Sequence, residues 1–304
     1  MIIEPMVFDL QNNSEIDENY ENKINYSTWI KSNDTFKPII DSQIEKKLDP
    51  GFYSVQTDSN GGLICKKITL DSDSLICFEN SVFSDLNNEI SKFWNLKNKF
   101  EDNNIIHKRG ILLEGPAGNG KSSLITLLIK ELIKNNGIAF IVKNAEHFYN
   151  TSLFLKTIFR KIEKDTPIIT IIEDIDLIPD YIIPELLDFL DGKSSINHSV
   201  CIMTTNNSSN LSPALLRPSR VDKRYILNSP NEELRKTYFK SRNIKEDLID
   251  KYVENTKGFS FAKLKELYIS TILLENDFEE SIKVLNEEIE GKNYLETDEL
   301  QIQI

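Results

Sequence analysis

Histidine, cysteine and long apolar runs are scarce in this chain, and each scarcity removes a class of function. Three cysteines (Cys65, Cys77, Cys201) and three histidines (His107, His147, His198) are scattered along it. They lack the short spacings of a structural metal site, so no such centre is expected. An odd, dispersed set of thiols fits reduced cysteines and a cytoplasmic setting. No apolar run approaches the ~18 residues of a membrane span, and residues 1–10 carry Glu4 and Asp9 but no basic residue, unlike a presequence. Positive charge is short as well: 36 Lys and Arg against 48 Asp and Glu leave a net charge of -12. That balance disfavours a protein that coats nucleic acid by neutralising phosphates, and makes a protein partner the default expectation.

What is present is a globular composition, 39% hydrophobic and 28% charged over 304 residues, enough for about two domains. Residues 1 to about 50 are rich in Asn, Asp, Glu, Ser and Lys, with weak helical spacing at Ile16, Tyr20 and Ile24. Phe52–Gln56 and Leu63–Ile68 then flank Ser59-Asn60-Gly61-Gly62, which predicts a β-hairpin with a glycine turn, and Leu75–Phe78 reads as a further strand. Helical intervals at Leu86, Ile90, Phe93 and Trp94 follow. Continuous apolar runs at Gly110–Leu113, Ile138–Val142, Ile168–Ile172 and Val200–Thr204 alternate with helical spacing, the pattern of a buried parallel sheet. From Ser229-Pro230-Asn231-Glu232, read as a capping box with proline in the first turn, the chain turns helical, ending in an acidic segment from about Glu275.

Chemistry concentrates in a glycine-rich segment. Gly115-Pro116-Ala117-Gly118-Asn119-Gly120-Lys121-Ser122, followed by Ser123, has the spacing of a phosphate-gripping loop, and it lies between a short apolar strand and a helix of core character. Glycines let backbone N–H groups turn inward on the anion. Lys121 is the expected counter-charge to the β- and γ-phosphates, Ser122 a magnesium ligand, and the helix dipole adds to both. Glu173 and Asp174 end the run Ile168–Ile172, the sheet edge where α/β folds bind ligands; one carboxylate can hold magnesium and the other can activate water. A helix-start acidic cluster is the competing reading, since Asp176 follows. Asn206 closes the next strand, and Arg217 and Arg220 are spaced to offer forked donors to a phosphate or to sit in surface ion pairs.

In order and spacing these elements resemble the AAA family of ring-forming ATPases, over about residues 83–262. Gly115–Ser122 corresponds to its Walker A segment, Ile169–Asp174 to Walker B, Asn206 to sensor 1, and Arg217 and Arg220 to arginine fingers. Thr256–Ala262 resembles its lid segment. The texture is closest to the branch of the mitochondrial chaperone that translocates the folded Rieske iron-sulfur subunit, whose Glu-Asp order matches Glu173-Asp174, although that branch's transmembrane helix has no counterpart here. Ser219 stands where a glycine is usual. The resemblance implies a P-loop NTPase α/β core over 81–228, an α-helical lid with an acidic tail over 229–304, and an α+β N-terminal region over 1–80. It further implies ATP and Mg2+ as ligands, Asp174 as the base, Glu173 and Ser122 on the metal side, an oligomeric ring, and a protein client. Phe148 and Tyr149 are candidates for gripping that client, or packed core. A nucleotide-dependent scaffold with little turnover and a nucleic-acid motor remain as alternatives.

Overall fold

A computed structural model describes residues 26–32, 35–40, 46–59, 61–70, 82–191 and 195–287. The expected strand at Leu75–Phe78, the helical spacing around Tyr20 and the acidic tail beyond 287 lie outside these residues. The chain divides after residue 48 into two compact units. In the first, β1 (Tyr26–Ser32) pairs antiparallel with β2 (Thr35–Ile40).

The second unit is built on one seven-stranded sheet. Its strands are β3 (Gly51–Thr57), β4 (Leu63–Lys67), β5 (Lys108–Glu114), β6 (Ile138–Val142), β7 (Ile168–Ile172), β8 (Ser199–Thr205) and β9 (Lys223–Ile226), in the spatial order β4-β3-β6-β7-β8-β5-β9. Every pairing is parallel except that of β3 with β4. The hairpin predicted from the glycine turn is real, with Gly61 at φ 79°. Its placement differs from expectation: β3 pairs in parallel with β6, Phe52 against Ala139, so the hairpin extends the core sheet. It was expected within an N-terminal region ending at residue 80. Non-local pairing of this kind leaves no local sequence signal.

All residues of β6, β7 and β8 are buried, because helices cover both faces, and this is why these strands read as unbroken apolar runs. The covering helices are α1 (Val82–Trp94), α2 (Lys97–Asp102), α3 (Lys121–Lys134), α4 (Ala145–Phe154), α5 (Arg160–Ile162) and α6 (Ile183–Asp191). Leu124, Ile125, Leu128, Ile129 and Leu132 form the buried stripe of α3 and meet Leu86, Ile90 and Phe93 of α1 and the sheet residues Ile111, Ile171 and Ile202 in one core. Each such side chain contributes roughly 1.5–3 kcal/mol of burial.

Four helices follow: α7 (Glu232–Ser241), α8 (Glu246–Asn255), α9 (Phe261–Tyr268) and α10 (Phe278–Glu287). They enclose a second core of Phe239, Ile249, Tyr252, Phe259, Leu264, Leu267 and Leu285. The start of α7 is two residues later than the expected capping box. Asn231, not Ser229, is the cap: its side-chain oxygen accepts from Leu234 N at 2.9 Å. Pro230 stays outside the helix, where its carbonyl accepts from the buried Arg235 guanidinium at 3.0 Å.

Candidate functional site

The loop that leaves β5 turns back on itself through Gly115, Gly118 and Gly120, all at positive φ, and delivers the chain into α3 at Lys121. At Gly118 the requirement is steric as well, since a Cβ there would lie 2.9 Å from both the Ala262 Cβ and the Ser260 hydroxyl. Ala262 N donates to Gly118 O at 3.1 Å. The helical lid therefore touches the glycine loop directly, at the segment Thr256–Ala262.

Lys121 is 8% exposed. Its ammonium donates to Gly115 O at 2.5 Å, to Pro116 O at 3.3 Å and to Asn206 Oδ1 at 2.7 Å. These acceptors are neutral carbonyl oxygens. Burial holds its pKa below the ordinary lysine value, with the charges of Asp174 and Asp176 opposing the shift. A buried cation whose hydrogen-bond acceptors among the described residues are neutral oxygens is suited to an incoming anion. The first N–H groups of α3 point the same way, having no partner within their own helix. Ser122 and Ser123 occupy this first turn and are exposed, while Asn119 is buried and donates to Leu227 O at 3.2 Å.

Asn206 follows β8, which carries Met203 opposite Ile172 of β7, so the amide and the acidic pair emerge at one edge of the sheet. Glu173 keeps the strand direction, its N–H donating to Val142 O at 3.2 Å. Asp174 leaves it, at φ 46° and ψ 57°, with its N–H on Thr204 Oγ1 at 2.9 Å. Aspartate tolerates this left-handed conformation better than most residues, and the bend gives the two neighbours different directions. Burial raises the Glu173 pKa; Lys143 opposes the rise and Asp174 adds to it. Hard oxygen donors from Ser122 and Glu173 fit Mg2+, and the lysine-lined glycine cradle fits a triphosphate.

Behind this site lies a brace that joins three segments distant in the chain. Glu114, the last residue of β5, accepts from Ser208 N at 3.1 Å and pairs with Arg224, which also donates to the Ser208 hydroxyl at 2.6 Å. Burial pushes the Glu114 carboxyl up, yet the Ser208 and Arg224 contacts outweigh it and hold its pKa low. The legible signal was a charged residue ending an apolar run immediately before the glycine loop.

Arg217 and Arg220 are not brought to this cluster. Asp222 N donates to Gly110 O and Gly110 N to Asp222 Oδ2, each at 2.8 Å, which fixes the arginine segment near the start of β5. The glycine loop lies past its other end, about 16 Å away at strand rise. Arg217 is exposed. Arg220 donates to Ala214 O at 2.6 Å, and its buried Nε has no hydrogen-bond partner among the described residues. Ser219 between them sits at φ 73°, the conformation that favours glycine. Of the two aromatic candidates, Phe148 is 1% exposed and packs edge-on against Phe189 at 5.7 Å, so it belongs to the core; Tyr149 is 52% exposed.

Residues 111–229 match the family model of the ATPase family associated with various cellular activities (AAA). These residues form an AAA-type ATPase domain. The match takes in the glycine loop, the acidic pair, Asn206 and both arginines, and the fold is that of the AAA+ P-loop core with ATP and Mg2+ as its standard ligands. The chain is 29% identical over 252 residues to an ATP-dependent zinc metalloprotease FtsH of Ruminiclostridium cellulolyticum, covering 73% of this chain and 40% of that protein. It is 29% identical over 196 residues to a cell division cycle protein 48 homolog of Archaeoglobus fulgidus, covering 57% and 26%. To a 26S proteasome regulatory subunit 6B homolog of Aspergillus niger it is 33% identical over 135 residues, covering 38% and 31%. The chain thus spans well under half the length of these relatives. No helix among the described residues is long and apolar enough to cross a membrane.

Proposed function

We propose that this protein hydrolyses ATP to ADP and phosphate and works as an oligomeric ring that remodels or translocates a protein client, in the cytoplasm. The observation that carries the reading is the division of the site: Lys121 and Asn206 are hydrogen bonded beside Glu173 and Asp174, while Arg217 and Arg220 stand at the far end of the same strand. Such arginines can complete a neighbour's site and not their own. Bound Mg2+ supplies charge neutralisation on the phosphates. Lys121 and the first turn of α3 bind and orient the triphosphate, Ser122 and Glu173 hold the metal side, and Asp174 takes or orients the proton of the attacking water. Asn206 fixes that water or the terminal phosphate, and an arginine from the adjacent subunit stabilises charge on the transferring group. The Gly118–Ala262 contact gives the lid a direct route to the loop.

Within the family, the Glu173-Asp174 order favours kinship with the Rieske-subunit translocase branch, whose clients move folded. The names of the relatives, an ATP-dependent protease and a proteasome regulatory subunit, support a protein client in general. The test mixes Lys121→Ala subunits, which keep their arginines, with Arg220→Ala subunits, which keep their loop. Each alone is expected to be inactive, and the mixture to recover turnover. Full activity of Lys121→Ala alone, or of a monomer, refutes the reading.

A further inference from the structure

The arginine turn is tied to its own chain by a lysine that belongs to none of the motifs. Lys108 opens β5, and its ammonium donates to Leu190 O, to Asp191 Oδ1 at 3.2 Å and to Ser219 O at 2.8 Å. The first two acceptors lie in the last turn of α6 and the third between Arg217 and Arg220. The lysine side chain is 17% exposed, its stem largely covered while its contacts to Asp191 and Ser219 lie at the surface. Asp222 grips the same turn from the other side, its Oδ1 accepting from Ser219 N at 3.1 Å while its Oδ2 accepts from Gly110 N. Both backbone groups of Ser219 are therefore fixed, one by Lys108 and one by Asp222. The residue so held is the one at left-handed φ, a conformation unfavourable for a serine that persists only where the surroundings enforce it.

Helix α6 is in turn the first helix after the acidic pair, reached through the short turns Ile175–Leu177 and Asp180–Ile182. One ammonium thus joins the end of the segment that begins at the chain's own acidic pair to the turn that displays its arginines.

We propose that Lys108 is a positioning residue for Arg217 and Arg220: it locks the Ser219 turn against the end of α6 and thereby sets where the arginines stand in a neighbour's site. This rests on the intersubunit role proposed above. An arginine donor to a transferring phosphoryl group is sensitive to placement, and a shift of about 1 Å can cost on the order of 100-fold in rate. The rigid fork of arginine makes the angle matter as much as the distance.

The test uses the full-length chain with Lys108→Met, which keeps the buried stem and removes the three donors, and Lys108→Arg, which restores a charged donor. Turnover, KM, affinity for a fluorescent ATP analogue and Tm are measured beside Arg217→Ala, Arg220→Ala and the double variant Lys108→Met with Arg220→Ala. The expected result for Lys108→Met is a kcat lowered at least about tenfold, with analogue affinity unchanged because its own loop is remote. Lys108→Arg is expected to recover much of the rate, and Lys108→Met to add little to the loss from Arg220→Ala. If the methionine protein does not fold, Lys108→Gln carries the same comparison. Wild-type kcat in the Lys108 variant, or a full additional loss on top of Arg220→Ala, overturns the positioning role while leaving the intersubunit reading intact. Wild-type kcat in both arginine variants overturns the intersubunit reading, and the Lys108 proposal with it.

Discussion

His198→Asn should remove much of the acid sensitivity of this fold. His107 and His198, 91 positions apart, meet with their Nδ1 atoms 2.8 Å from each other. The other nitrogen of His107 lies 2.9 Å from Phe93 O. A carbonyl only accepts, so that nitrogen carries a hydrogen; in the neutral ring Nδ1 is then bare and accepts from His198. A proton added to His107 would set two N–H groups head to head, and one added to His198 would charge a ring that is 7% exposed. The pair is accordingly held neutral. Burial pulls the His198 pKa down from 6.5 to about 4, with His107, Lys97 and Arg160 acting in the same sense and Asp165 opposing; burial lowers His107 as well.

The folded value lies below the unfolded one, so as pH falls the unfolded chain takes up the proton first. The stability that depends on neutral His198 is complete above about pH 6.5 and is lost as pH falls toward 4. At ~1.4 kcal/mol per unit, the loss from His198 is about 2 kcal/mol at about pH 5 and about 3 kcal/mol at its limit. Asparagine tolerates the φ of 55° at this position and does not titrate. Urea unfolding of both proteins at pH 7.5 and pH 5 should therefore show the wild type losing about 2 kcal/mol more than His198→Asn. Equal losses in the two proteins would refute the assignment of a neutral buried pair.

Three further substitutions probe the placement of the site. Gly110→Ala would bring a Cβ within 1.7 Å of Arg220 O; a backbone atom cannot rotate away, so unfolding free energy should fall by at least about 2 kcal/mol in urea titration. Phe148→Ala should destabilise by about 3–5 kcal/mol, whereas Tyr149→Ala should leave stability within about 0.5 kcal/mol. A loss of client-stimulated turnover in Tyr149→Ala at wild-type stability would mark Tyr149 as the exposed aromatic that meets the client.

Local chemistry made much of this protein readable. The runs Ile138–Val142 and Ile168–Ile172 are strands with those bounds, because strands buried on both faces need no polar alternation. The glycine loop announced itself because close approach of backbone to an anion demands glycine at fixed offsets. The α7 cap was misplaced by two residues because Ser229 and Asn231 can both serve, and only the Asn231 to Leu234 contact decides between them.

Spacing within a few turns of chain was enough to specify a P-loop core of parallel strands with a glycine loop leading into α3. Tertiary structure decided what depends on partners far apart in the chain. It set the hairpin Gly51–Lys67 into the core sheet, paired His107 with His198 and buried Phe148. It also carried Arg217 and Arg220 away from Lys121, to the strand end where Lys108 and Asp222 hold their turn. Hydrogen bonds across 91 to 112 residues leave no periodicity to read, and their geometry exists only once the sheet has brought the strands together.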